Sequence, residues 1–304
     1  MYIANNNNCW FTNVGEAFID IGVKNIFKNI MRKNSEIEYG TITPMSKYYI
    51  GKCDSDKAIS PEKWFYPDLL ILAGMYATES VACSKGGIRD MVMQMKANGT
   101  KVAFLGMGGN KYNQEEQRTV VEMFDEMRPE FVITRDKQTY DLYKNFVNCK
   151  RGLDCAFWLD DDFKPGKMKH NSYICSTFNR SDEPKVLLDL ENLIHPWHMQ
   201  DALSKSRTKY LNKENLMISD SPYDYLTLYA NADRVYTDLV HATIPCLVYE
   251  TPVKYYWIDN RSETFYSISY IKIDNNGFLS IDKEMLRKEK KEIEKFIENS
   301  IKVM

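Results

Sequence analysis

The residues best suited to chemistry in this chain lie between Asp238 and Lys254. His241 sits in Thr237-Asp-Leu-Val-His-Ala242, between a short apolar run, Asp233 to Thr237, and a second one, Cys246 to Tyr249. The spacing predicts a buried strand, a polar turn carrying Asp238 and His241, and then another strand. Such a turn lies at the carboxyl edge of a parallel sheet, where open α/β folds bind ligands. Imidazole exchanges a proton near neutral pH, so His241 is a candidate general acid or base, with a satisfied core histidine as the alternative. Asp238, three residues earlier, could orient the ring or cap the helical turn after it. Arg135 follows the apolar run Phe131 to Thr134 and could bind a carboxylate or phosphate.

Asn13-Val-Gly-Glu16 precedes a segment with helical spacing of Phe18, Ile19, Val23, Ile26, Phe27 and Ile30. Asn13, Gly15 and Glu16 therefore mark a helix start that could hold an anion or a hydroxyl, while Gly15 could equally serve a tight turn. Gly74, Gly106, Gly108 and Gly109 follow apolar runs and would let a ligand approach the backbone. They do not form a dinucleotide fingerprint. Asp136 could face a cleft or cap the helix after it. His195 and His198, in His-Pro-Trp-His, read as a surface loop rather than a metal pair, because the proline disfavours helical i,i+3 geometry. Asp160, Asp161 and Asp162 are consecutive, so their side chains diverge, and a solvated turn is the simpler reading than a metal site.

The elements that must position these residues alternate between strand and helix. Asp68–Ala73, Lys101–Leu105 and Phe131–Thr134 read as buried strands. Ala17–Met31, Gly86–Asn98, Asn113–Met127 and Lys137–Asn145 read as helices. Such β-α repetition predicts an α/β fold with a parallel sheet covered on both faces. The rhythm breaks around Asp154 to Gly166 and then resumes, with strands at Ser172–Phe178, Val235–Thr237, Cys246–Tyr249 and Ser267–Ile273. Helices are expected at Ser221–Asn231 and Asp282–Lys302. Two domains follow, residues 1–162 and residues 163–304, the second ending in the long charged helix.

Composition narrows the function classes. The net charge of -2 excludes a nucleic-acid binder held by bulk electrostatics. No apolar run reaches the ~18 residues of a membrane span, and the start carries no basic, apolar leader. The seven cysteines are scattered with no Cys-x-x-Cys pair. They suggest neither zinc nor a redox dithiol and fit a reducing cytoplasm.

In order along the chain, several motifs resemble those of the polysaccharide pyruvyl transferase family. Asn13-Val-Gly-Glu16 is similar to its Asn-x-Gly-Asp element, and Asp68 to Met75 and Phe104-Leu-Gly-Met-Gly-Gly109 to its strands entering glycine loops. Thr134-Arg-Asp-Lys-Gln-Thr139 resembles Ser-Arg-Asp-x-x-Ser. Gly152-Leu-Asp-Cys-Ala-Phe157 resembles the family's domain crossing, and Thr237 to Ala242 its Thr-Asp-Arg-Leu-His-Ala signature. Pro252-Val-Lys254 falls where the family often has lysine. The resemblance implies two Rossmann-like domains facing a central cleft, the GT-B-like glycosyltransferase architecture, with an acceptor-side first domain and a donor-side second domain. It implies pyruvyl transfer from phosphoenolpyruvate to sugar hydroxyls of a cell-surface polysaccharide, an exopolysaccharide or its precursor, as a ketal. Phosphoenolpyruvate would be a donor substrate, with no cofactor and no metal. The partner would be a glycan or lipid-linked sugar, which leaves peripheral membrane association open, as is the oligomeric state.

On that resemblance His241 and Asp238 are the catalytic candidates and Arg135, Lys254 and Arg234 the donor-binding ones. Asn13, Gly15, Glu16, Gly74 and Gly108 are the acceptor-binding candidates. One departure matters: Leu239 stands where the family usually has the arginine that meets the donor phosphate. A neutral side chain cannot replace a bidentate guanidinium. A nucleotide-sugar glycosyltransferase and a non-catalytic glycan binder are the alternatives.

Overall fold

In the computed structural model, residues 1–7, 13–42, 64–74, 76–83, 88–169, 172–198, 214–257 and 260–304 are described. Cys9, Cys53 and Gly86 lie outside them. The chain divides into two compact units, each built on its own sheet. Unit 1 is Met1–Asn8, Val23–Cys155 and Glu289–Met304, and unit 2 is Cys9–Gly22 and Ala156–Lys288.

The unit 1 sheet holds β1 (Tyr2–Asn6), β2 (Glu38–Ile42), β3 (Leu69–Ala73), β4 (Lys101–Met107), β5 (Val132–Thr134) and β6 (Cys149–Arg151). Its order is β2-β1-β3-β4-β5-β6, and every pairing is parallel. β3 is Leu-Leu-Ile-Leu-Ala with all residues buried, as a strand covered on both faces requires. Helices α1 (Val14–Met31), α2 (Ile88–Ala97), α3 (Gln114–Met127) and α4 (Lys137–Tyr143) alternate with these strands. Asn113 caps α3 by accepting from Glu116 N, and Asp136 caps α4 by accepting from Thr139 N. Asp136 is therefore the helix cap of the two roles open to it.

Unit 2 holds β7 (Ile174–Thr177), β8 (Leu193–Pro196), β9 (Leu216–Met217), β10 (Arg234–Thr237), β11 (Val253–Tyr255), β12 (Ile271–Ile273) and β13 (Leu279–Ile281). Its order is β12-β13-β11-β10-β7-β8-β9. The segment β11-β10-β7-β8-β9 is parallel, and β13 runs antiparallel to β11. The order turns back on itself at β7: β8 and β9 lie on one side of it, β10 and β11 on the other. That places the switch point between β7 and β10. Helix α5 (Pro222–Asn231) has Pro222 in its first turn, and α6 (Val240–Val248) follows β10. The last helix, α7 (Lys283–Lys302), buries Leu286, Ile293, Ile297 and Ile301 on one face.

Several expectations change. Cys246–Tyr249 is the end of helix α6 and its cap, not a strand: Ala242 to Val248 are all buried, so the run carries neither period. Only Ile271–Ile273 of the expected edge strand is extended, since Ser267 closes a helical turn, Glu263–Tyr266. The expectation of domains 1–162 and 163–304 also gives way. The chain crosses between Cys155 and Ala156, residues 9–22 count with unit 2, and most of α7 counts with unit 1. The triple aspartate lies at the end of a 3-10 helix, Cys155–Asp161, where Asp160 pairs with Lys283 Nζ at 2.6 Å.

Candidate active site

The switch point of unit 2 is bounded by the turns that follow β7 and β10. The β10 turn carries Asp238, whose carboxylate accepts from Asn179 N at 3.1 Å, Arg180 N at 3.0 Å and Ser181 N at 2.7 Å, and from Ser181 Oγ at 3.0 Å. Asp238 is buried and fixes the loop after β7. It neither orients His241 nor caps α6, whose cap residue is Leu239, with no side-chain cap bond. The reason is local: three backbone N–H groups converge on the carboxylate, an arrangement worth more than one contact to a half-exposed ring.

His241 lies in the first turn of α6, half-buried. The amino end of α1 is pressed against it. A Cβ on Gly15 would stand 2.8 Å from His241 Cβ, 2.9 Å from its Nδ1 and 3.2 Å from Asn13 Oδ1. Gly15 is thus required by close approach to the imidazole, not by a positive φ. The N–H groups at this helix end are taken: Val14 N donates to His198 O at 3.0 Å, Gly15 N to Asn13 Oδ1 at 3.1 Å and Glu16 N to Asn13 O at 3.0 Å. Asn13 Nδ2 donates to Glu16 Oε1 at 3.3 Å. The open anion site expected there is therefore closed by its own residues. Gly15 does meet His241, and Asn13 and Glu16 flank it in the same stretch of unit 2.

His198 was expected in a surface loop and is instead fully buried. Its Nε2 lies 2.6 Å from Tyr229 Oη, and its ring meets Phe18 and Tyr225 edge-on at 5.8 and 5.2 Å. Its backbone N donates to Asn179 Oδ1 at 3.0 Å. Burial, reinforced by the neighbouring His241, pushes its pKa down to about 3, so it is neutral. Asn179 Nδ2 is buried and has no hydrogen-bond partner among the described residues. An orphaned amide donor at a switch point is a feature of a binding site. Neither residue stands out in the sequence as part of the site. His-Pro-Trp-His suggests at most a metal pair, and Asn179-Arg180 directly after a strand is the signal that could have found the loop.

The cations proposed for the donor are placed elsewhere. Arg234 is exposed and opens β10, at the amino end of a strand whose carboxyl end leads to His241. Lys254 lies within β11 and donates to Asn276 O at 3.0 Å, against Gly277. Neither lies at the carboxyl edge. Arg180, in the loop held by Asp238, does. Leu239 is buried, and its N donates to Thr237 Oγ1 at 3.0 Å.

Unit 1 gathers Gly74, Gly108 and Arg135 at its own carboxyl edge. Gly108 N donates to Gly74 O at 3.3 Å, and Ala77 N to Gly108 O at 3.2 Å, so these glycine loops bond to each other. Arg135 is buried and paired with Asp154 at 3.1 Å. A Cβ on Gly108 would stand 2.4 Å from Arg135 Nε, so that glycine makes room for the guanidinium. The guanidinium is held by that pair, and its Nε is buried without a hydrogen-bond partner among the described residues, like Asn179 Nδ2. Gly74 and Gly106 have positive φ, at 113° and 58°.

The family model described as polysaccharide pyruvyl transferase matches residues 18–260. The chain belongs to the polysaccharide pyruvyl transferase family. It is a transferase by that membership. Comparison with curated protein sequences finds no match. Among solved structures it is similar to the UDP-GlcNAc 2-epimerase of Neisseria meningitidis bound to UDP-GlcNAc, with TM-score 0.54 and 10% identity over 88% of this chain and 85% of that one. The UDP-GlcNAc 2-epimerase of Methanocaldococcus jannaschii gives TM-score 0.51 and 12% identity over 94% of this chain and 90% of that one. At such identities the likeness shows the fold, a GT-B-like pair of Rossmann-like units. Among the described residues no helix is long and apolar enough to cross a membrane.

Proposed function

We propose that this family member transfers the pyruvyl group of phosphoenolpyruvate to two hydroxyls of a sugar in a polysaccharide or its oligosaccharide precursor. The observation that carries this reading is the position of His241 at the switch point of unit 2, with Gly15 packed onto its ring and the Asn179–Ser181 loop beside it.

His241 protonates the methylene carbon of the donor, which places positive charge on the carbon that bears the phosphate. One sugar hydroxyl attacks that carbon and gives up its proton. The carbon–oxygen bond to phosphate then breaks, the second hydroxyl adds, and a ketal and inorganic phosphate result. The methylene gains one proton, and the sugar hydroxyls lose two, one to regenerate the imidazolium and one to phosphate or solvent. Arg180 and the Asn179 amide supply the positive charge and donor hydrogen that an acidic donor needs. Arg180 replaces the arginine missing at Leu239, Asp238 holds its loop, and His198, neutral and buried, supports the seat of α1.

The test is phosphate release from phosphoenolpyruvate in the presence of an oligosaccharide acceptor, with the product mass. His241→Gln is expected to lower turnover by about a hundredfold or more, the range of general acid–base catalysis, with its melting temperature unchanged. Full turnover in that variant removes the assignment. The buried Leu239 favours one second reading, a nucleotide-sugar glycosyltransferase. Stabilisation by uridine diphosphate and not by phosphoenolpyruvate would select it.

A further inference from the structure

Unit 2 carries a pair of aromatic rings that its core does not account for. Past the end of β11 the chain continues through Tyr256 and Trp257 at the carboxyl edge of the sheet. Tyr256 N donates to Thr237 O at 2.8 Å. The segment therefore runs on beside the end of β10, whose next turn leads to His241. Neighbouring strands are only about 4.8 Å apart.

Trp257 stacks on Tyr266 with centroids 4.2 Å apart and planes at 16°. Tyr255 and Phe265 meet Trp257 at near right angles, at 4.9 and 6.2 Å. These two rings are buried, whereas Trp257 is 36% and Tyr266 63% exposed. Buried rings thus fix the indole, and the indole backs one face of Tyr266. The other face of the phenol remains open to solvent. Single exposed aromatics need no explanation, but a braced, stacked pair at a ligand-binding edge does.

We propose that the open face of Tyr266, braced by Trp257, is the platform on which one pyranose ring of the acceptor stacks. A pyranose presents an apolar face of C–H groups and a polar rim. It suits a flat ring that is apolar on its face and polar at its tip. The platform is about one sugar ring in size, far smaller than a protein interface. Its assignment to the acceptor rests on the pyruvyl-transfer reading; its affinity for pyranose rings rests on the geometry alone.

The experiment measures binding of methyl α-D-glucopyranoside, methyl α-D-galactopyranoside and methyl α-D-mannopyranoside to the full chain by saturation-transfer NMR. In parallel, melting temperature is recorded with and without phosphoenolpyruvate. The wild type is expected to bind at least one pyranoside saturably. Tyr266→Ala is expected to weaken that binding by about fivefold or more, the scale of one aromatic contact. Tyr266→Phe, which keeps the ring, is expected to stay within about twofold. Both variants should retain the wild-type melting temperature and the wild-type response to phosphoenolpyruvate. Tyr266→Ala binding sugar as the wild type does overturns the proposal. So does a wild type with no saturable pyranoside binding. Should the wild type ignore phosphoenolpyruvate while Tyr266→Ala still loses the pyranoside, the donor reading falls and the platform stands.

Discussion

Gly15 shows how a single position can be read from contact and not from conformation. Its backbone is one that any residue adopts, so in a helix's first turn alanine would ordinarily be favoured by about 0.5–1 kcal/mol. Here the added methyl would overlap the His241 ring, with Cβ and Nδ1 at 2.8 and 2.9 Å. Gly15→Ala is therefore expected to reverse the usual sign, destabilising by about 1–3 kcal/mol as overpacking does. It is also expected to lower turnover at least tenfold by displacing the imidazole. A urea titration beside the phosphate-release assay checks both, and an alanine variant that gains stability contradicts the packing argument.

His198 makes the second residue-scale prediction. Its folded pKa, about 3, lies below its unfolded value of 6.5. A depressed histidine contributes stability that is fully present above pH 6.5 and is lost as the pH falls toward 3. The slope approaches about 1.4 kcal/mol per pH unit. His198→Gln keeps a partner for Tyr229 and removes the titration. Between pH 7 and pH 5 the wild type should lose stability relative to this variant, measured as the difference between their urea midpoints. Parallel pH profiles would contradict the burial of a neutral ring.

At the scale of elements, the loop after β7 is the one whose placement decides donor binding. It is held to the β10 turn chiefly by one carboxylate that accepts three backbone N–H groups and a hydroxyl. Asp238→Asn removes the charge and turns an amide NH₂ toward donors, at a cost of about 1–3 kcal/mol. Because Arg180 and Asn179 ride on that loop, KM for phosphoenolpyruvate should rise more than kcat falls. A fall in kcat at constant KM would place Asp238 nearer the reacting atoms. The element pattern also shows what sequence can carry. β3, β4 and the Asn113-capped α3 are legible because burial on both faces and cap chemistry are local properties. β1 is not, since it ends in the buried Asn5 and Asn6, which no periodicity marks as interior. The end of α6 misleads because a fully apolar run has no polar face to set a period. The glycine loops of unit 1 are legible as loops, but their purpose, bonding to each other and seating Arg135, is a tertiary fact.

On the scale of the whole molecule, the two β-α series and the carboxyl-edge placement of His241 are legible in the sequence, and the cut between units is not. Composition marks the turn around Asp160 as a break, but a compact unit need not be continuous in sequence. Residues 9–22 belong with unit 2, where Phe18 packs on His198 and Val14 N bonds to its carbonyl. This leads to the last prediction. A fragment of residues 156–304 lacks those partners, so the His198 ring loses its Phe18 contact and the His241 ring its Gly15 cover. Leaving such apolar surface and a buried polar group uncovered costs several kcal/mol, comparable with the whole stability of a domain. The fragment alone is expected to bind a hydrophobic dye and to melt without a cooperative transition. Coexpression with residues 1–155 should restore a cooperative transition and the response to phosphoenolpyruvate, because it returns the amino end of α1 to unit 2. A fragment that folds cooperatively by itself would show that the first helix is dispensable to the second unit, and the part played by Gly15 in seating His241 would go with it.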